Sequence, residues 1–230
     1  KKKKKHGVTV AAACAAAAAL LLTVLLMLPR GWRQEDGVYR YYKFGSRLTN
    51  AWLREKGNYY YFGENGDMST SWQTFNDLVY YFGEDGIMVR RWQTIDGARY
   101  YFGEDGVMLT GWQTVEGNRY YLGTDGVMAT GLFQIDGMSY YFLEDGTMHT
   151  GWQSIDGKKR YFADDGVMAV GWKTMDDITY YFDQDGAMHT GWLTLNGKTF
   201  YFDSRGKMLI GLQRIRGALY YFDYYGQLIE

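Results

Sequence analysis

Tryptophan recurs at Trp32, Trp52, Trp72, Trp92, Trp112, Trp152, Trp172 and Trp192, and every gap is 20 residues or a multiple of 20. Leu132 and Leu212 fill the two remaining slots. Residues 31–230 are therefore ten copies of one 20-residue unit, with neither insertion nor deletion. A fixed period of this size constrains the fold more than any local propensity does. So short a unit cannot enclose a core, and each copy must bury its apolar face on its neighbours. The 22 tyrosines, 12 phenylalanines and 8 tryptophans supply aromatic area for packing, for binding, or for both, and exclude a disordered chain.

The unit 91–110 shows the local logic. Trp92-Gln93-Thr94-Ile95 reads as a strand, Asp96-Gly97 as a two-residue hairpin turn, and Ala98 to Phe102 as the return strand. Glu104-Asp105-Gly106 is a second turn, with glycine for the left-handed position. A two-residue turn fixes the register: Ile95 pairs with Ala98, Thr94 with Arg99, Gln93 with Tyr100 and Trp92 with Tyr101. Alternation then places Trp92, Thr94, Arg99 and Tyr101 on one face, and Ile95, Tyr100 and Phe102 on the other. The second face, with Met108, is the expected core. The first face repeats a Trp/Tyr pair along the array, an expected ladder of half-pockets between neighbouring hairpins. Asn76-Asp77 and Asp176-Asp177 replace the turn glycine with aspartate and should be the less ideal hairpins.

Residues 1–30 form a separate segment. Lys1 to Lys5 precede the apolar run 8–28, whose 21 residues would span about 31 Å as a helix, enough for a bilayer core. The sequence predicts an N-terminal hydrophobic helix, either a retained signal-anchor or a cleaved signal peptide. The alanines (Ala11 to Ala19) precede the leucines, and the run exceeds a usual signal core, which favours the anchor. In both cases the lysines stay inside and the array is exported. The expected organisation is this segment over 1–30 and the repeat array over 31–230.

Six of the 25 basic residues lie in 1–30, leaving 19 against 26 acidic ones in the array, a balance of −7. That argues against a nucleic-acid partner. Cys14 is the only cysteine, so no disulfide framework or cysteine-based metal site is expected. His149 and His189 share a slot 40 residues apart and read as solvent-facing linker residues. The Glu-Asp-Gly turns read as turn chemistry, because the spacing of calcium-binding β-rolls is absent. Catalysis needs one convergent cluster, whereas a repeat multiplies the same residues; neither enzyme activity nor a cofactor is expected.

The pattern Gly-Trp-x-x-x-x-Gly-x-x-Tyr-Tyr-Phe-x-x-x-Gly-x-Met-x-Thr-Gly resembles the cell-wall-binding repeat family, which includes choline-binding modules, glucan-binding repeats and toxin receptor-binding repeats. The resemblance covers 31–230. It implies an all-β, left-handed β-hairpin solenoid with a non-catalytic binding role at a Gram-positive-type cell surface. Choline-binding modules of that family cage the ligand between the Trp, an aromatic seven residues later, and an aromatic of the next hairpin. Here the position seven residues on reads Tyr39, Tyr59, Val79, Arg99, Arg119, Ser139, Lys159, Thr179, Thr199 and Leu219. Only the first two are aromatic, and Arg99, Arg119 and Lys159 place a cation where a ligand cation would sit.

A Trp/Tyr platform edged by Arg, Lys, Thr and Gln suits a sugar ring. The expected ligand platforms are Trp32, Tyr39 and Tyr41; Trp52, Tyr59 and Tyr61; Trp72 and Tyr81; and Trp92, Arg99 and Tyr101. Further along they are Trp112 and Tyr121, Trp152 and Tyr161, Trp172 and Tyr181, and Trp192 and Tyr201. The expected partner is a polysaccharide or cell-wall polymer, bound with avidity. Choline attachment through Tyr39 and Tyr59 is the alternative. A third reading is a structural stalk self-associating through the aromatic last unit, Leu212 to Glu230.

Overall fold

The computed structural model describes residues 28–229. The expected N-terminal helix, Cys14 and the lysine run all lie outside the described residues. Every element among the described residues is a β-strand, and no helix occurs among them. The chain divides into two compact units, one ending at Leu109 and one beginning at Thr110.

In the first unit, β1 (Gly31–Glu35) and β2 (Val38–Lys43) form an antiparallel hairpin, and β3 (Ser46–Arg47) adds a short third strand to it. That third strand was not foreseen. Repeat 1 turns through Phe44-Gly45 instead of the acidic turn found in most later repeats. Three two-stranded hairpins follow, at 51–62, 71–82 and 91–102. The second unit contains six, at 111–122, 131–142, 151–162, 171–182, 191–202 and 211–222.

The register follows from the two-residue turn. Trp92 pairs with Tyr101, Gln93 with Tyr100, Thr94 with Arg99 and Ile95 with Ala98. Asp96 and Gly97 have φ of 50° and 81°, as a turn needing two left-handed residues demands. Asp77 and Asp177 take up the glycine's place at φ of 63° and 59°, and their hairpins keep the same register. They carry the strain of a non-glycine residue in that region without altering the pairing.

Within each unit, consecutive repeats are tied by the methionine segment. Phe162 bridges Met168, and the Met188 N–H donates to the Lys159 carbonyl of the preceding hairpin at 2.7 Å. The second turn is closed by its aspartate: Asp165 Oδ1 accepts from the Val167 N–H at 2.9 Å. Glycine is required behind it. Gly166 has φ of 87°, and a Cβ there would collide with the Met148 sulfur.

In each unit the core repeats with the period. Phe62, Phe82, Phe102, Phe142, Phe162, Phe182, Phe202 and Phe222 are fully buried, with Leu122 in the same slot. Ile95, Ile135 and Ile215 are buried beside them. Apart from the buried Tyr80, the Tyr100-type tyrosines are half-buried, as are most methionines, less enclosed than the core expected from alternation. The reason is geometric: the tyrosine sits at the rim, against the tryptophan of the preceding hairpin.

Candidate functional site: the indole clusters between hairpins

Seven of the tryptophans meet the same set of three rings. Trp112 contacts Tyr121 of its own hairpin edge-on at 5.3 Å. It meets Tyr140 and Phe142 of the following hairpin at 5.0 and 5.8 Å. Trp152 does the same with Tyr161, Tyr180 and Phe182, and Trp172 with Tyr181, Phe200 and Phe202. Trp192 meets Tyr201, Tyr220 and Phe222. In the first unit the clusters are Trp32 with Tyr41, Tyr60 and Phe62, and Trp52 with Tyr61, Tyr80 and Phe82. Trp72 meets Tyr81, Tyr100 and Phe102. Trp92 packs on Tyr101 at 4.9 Å. Edge-to-face pairs at these distances contribute about 0.5–1.5 kcal/mol each beyond their buried area.

The two faces of a hairpin are therefore not core and platform. The Trp/Tyr face of one hairpin is covered in part by the Tyr/Phe face of the next. The tryptophans are neither sealed nor fully open: Trp52, Trp172 and Trp192 are 43, 44 and 42 % exposed, and the other five are half-buried. The sequence reading missed the ring 28 residues after the tryptophan (Tyr60, Tyr80, Tyr100, Tyr140, Tyr180, Phe200 and Tyr220), assigning its type to the core. The constant spacing of 28 was the available signal.

In the second unit the residue seven places after the tryptophan tracks how much indole remains open, and Trp92 under Arg99 follows the same pattern. The Arg99 guanidinium lies 4.5 Å from the Trp92 ring, that of Arg119 lies 4.3 Å from Trp112, and the Lys159 ammonium lies 4.5 Å from Trp152. All three indoles are half-buried under these cations. Trp172 and Trp192 instead carry Thr179 and Thr199, whose hydroxyls bond to Thr174 and Thr194 at 3.1 Å. These two indoles stay open. Tyr39 is 46 % exposed, while the face of Tyr59 is flanked by the guanidinium groups of Arg54 and Arg90 at 5.5 and 5.8 Å.

Two junction details differ from the rest. Near Trp32 the indole N–H donates to the Glu55 carboxylate, placing a negative charge beside that cluster. At Leu132 the partner 28 residues on is Arg160, only 6 % exposed; it donates to the Ile155 and Asp185 carbonyls at 2.8 and 3.1 Å. Lys158, bonded to the Asp185 carboxylate at 2.6 Å, and the Ala187 N–H hold that carboxyl below its usual range. Leucine and arginine have replaced the aromatic pair together, so no indole platform exists there. In the first unit, burial and the Asp105 carboxylate push the Tyr80 phenol upward.

His149 and His189 are packed linker residues, correcting the solvent-facing expectation. His149 sits edge-on to Tyr141 and Phe162, at 6.1 Å from each. His189 contacts Tyr181 and Phe202, and its Nδ1 lies 3.1 Å from Asp183 Oδ1. Among the described residues, no group of three or more His, Cys, Asp or Glu side chains is placed to hold a metal.

Short β-hairpins with an indole cluster at most junctions within each unit define a cell-wall-binding type of repeat protein. A choline-binding repeat family model matches residues 89–133, 109–148, 129–171, 169–210 and 189–228. A cell wall binding repeat model matches 50–68 and 70–88. The chain belongs to the choline-binding repeat family.

Among solved structures it is similar to CbpJ from Streptococcus pneumoniae TIGR4, at 25 % identity and a TM-score of 0.69, covering 87 % of this chain and 94 % of that one. It is similar to the choline-binding domain of CbpL from Streptococcus pneumoniae, at 30 % identity and a TM-score of 0.57, covering 79 % of this chain and 97 % of that one. The modular autolysin LytC of the same organism shares the fold at 24 % identity and a TM-score of 0.60, covering 88 % of this chain but 49 % of that one. No curated protein matches.

Proposed function

We propose that the array is a non-catalytic module that holds a cell-wall polymer at the cell surface, exported by the segment 1–30. The observation that carries this reading is the repeated indole cluster with an open face at Trp52, Trp172 and Trp192. Membership of the choline-binding repeat family supports it, as does the likeness to the choline-binding domain of CbpL. Single stacking sites are weak, and several in a row gain avidity on a polymer. Sugar rings stack on the open indoles edged by Thr179 and Thr199. The indoles under Arg99, Arg119 and Lys159 already hold a cation and take no quaternary ammonium.

A choline site is favoured by one location, Trp32. There Tyr41 and Tyr60 supply further aromatic walls, the residue seven places on is the exposed Tyr39, and Glu55 supplies a carboxylate beside the indole. Such a cage attracts a methylated ammonium by cation–π contact, about 0.5–2 kcal/mol for a ring.

The test is retention of the protein on isolated cell walls, with elution by free choline or by soluble oligosaccharide. The reading predicts retention, with incomplete elution by choline alone. No retention on any cell-wall preparation would overturn it.

A further inference from the structure

The last turn of the second unit departs from the repeat. Where other repeats place Glu84-Asp85, Glu104-Asp105, Thr124-Asp125 or Gln184-Asp185, this one places Tyr224-Tyr225. The two rings are 83 and 77 % exposed and meet edge-on at 5.5 Å. These two turn positions are exposed in every repeat from 64–65 onward, including those followed by another repeat. The exposure thus belongs to the turn and not to its place in the chain. Two large aromatics on an exposed tight turn do nothing for the core.

What they face follows from an internal equivalence. Arg119 donates through Nη1 to the Asp165 carbonyl, 46 residues on, at 3.5 Å, while its Cζ lies 4.3 Å from the Trp112 ring. The Asp165 turn therefore stands across a guanidinium-sized gap from that indole. Thr179 and Tyr225 have the same spacing in sequence as Arg119 and Asp165. With threonine in place of arginine the gap is unfilled, and the structure has a groove of about 1020 Å³ there, lined by Trp172, Thr179, Phe200, Gln213, Tyr224 and Tyr225 among others. An aromatic wall lost seven residues after Trp172 is supplied again from a later turn.

The lining states the ligand class. Its charged residues are Lys198, Lys207, Asp177 and Asp203, which cancel. Asp203 Oδ1 is already taken up by the N–H groups of Arg205 and Lys207. Neither an ammonium nor an anion finds a surplus of opposite charge. Threonine and tyrosine hydroxyls and the glutamine amides offer donors and acceptors around aromatic faces, which is what a polyhydroxylated ring needs. The volume lies at the upper end for small-molecule pockets, roughly 300–1000 Å³, and far exceeds one ammonium head group.

We propose that the Trp172–Tyr225 groove is a glycan subsite that takes an uncharged oligosaccharide segment, one ring stacked on the indole and another on the tyrosine pair. It rests on the cell-wall-polymer reading for the source of the glycan.

The full chain would be titrated calorimetrically with N-acetylglucosamine oligomers and with α-glucan oligomers. The expected result is binding of one series, weakened at least tenfold by Tyr224→Ala with Tyr225→Ala and equally by Thr179→Arg. The double tyrosine-to-phenylalanine variant should keep most of the affinity, and Glu144→Ala, at the equivalent turn, should keep all of it. Thermal melts confirm that each variant is folded. Affinity unchanged in both disabling variants, or binding of neither series, overturns the subsite. So does a dimer that the tyrosine-to-alanine pair converts to monomer without any effect on glycan. Retention on cell walls, measured in parallel, separates the two readings: retention without oligosaccharide binding refutes the groove alone, and no retention refutes the broader function.

Discussion

The hairpins of Trp112 and Trp172 lie in the same unit and are built alike below the indole. Each tryptophan is edge-on to a tyrosine of its own hairpin and to a ring of the next, above a buried phenylalanine. Above the indole they differ at the residue seven places on and at the turn 46 residues beyond it, Asp165 in one and Tyr225 in the other. Arg119 covers Trp112, whereas Thr179 leaves Trp172 open beside a groove. The period thus specifies packing, and at these two hairpins the residue that breaks it sets how open the indole is. An array that looks uniform in sequence has indoles of at least two kinds.

The largest expected effect tests the shared part of that comparison. Phe142→Ala and Phe202→Ala remove fully buried rings under Trp112 and Trp172, and each should cost about 3–5 kcal/mol in urea denaturation. Costs differing by more than about 2 kcal/mol would mean that the two junctions do not share one core.

Next comes the junction that has no indole. Arg160→Ala leaves the Ile155 and Asp185 carbonyls without their donor, at an expected loss of about 1–3 kcal/mol by the same assay. A neutral result would show that water replaces the guanidinium freely.

A reciprocal exchange sharpens the part that differs. Arg119→Thr should add one indole to the fraction quenched by acrylamide, and Thr179→Arg should remove one. The stability change should be about 0.5–1 kcal/mol, a loss in the first variant and a gain in the second. Unchanged quenching in both would break the link between that position and indole access.

The smallest effect concerns pH. The Tyr80 phenol is raised in the folded state by burial and by Asp105. Its neutral form therefore favours the fold, a contribution fully present below the unfolded tyrosine pKa and lost as pH rises through the raised folded value. Stability should fall above about pH 10, and Tyr80→Phe should flatten part of that slope. An alkaline profile identical in the variant would contradict the assignment.

Much of the fold was legible because two-residue turns such as Asp96-Gly97 dictate register, and register dictates which residues pair. The self-capping of Trp112 was legible for the same reason: Arg119 is fixed on the indole's face. What one hairpin alone could not show was how hairpins meet. Tyr140 looks like core when only its own hairpin is considered, yet it packs against Trp112 of the hairpin before. The groove at Tyr225 was illegible for a further reason, since Trp172 and Tyr225 lie 53 residues apart and no strand pairing connects them. Those two tyrosines read from sequence as a sticky end, and the groove gives them a specific neighbour.

The claim that in the second unit the position seven residues after the tryptophan decides which indoles are open to a ligand is tested most directly by indole N–H resonances. The full chain, titrated with solubilised cell-wall polymer, should show the Trp172 and Trp192 resonances shifting while those of Trp112 and Trp152 stay in place. Uniform shifts, or shifts led by Trp112 and Trp152, would contradict it.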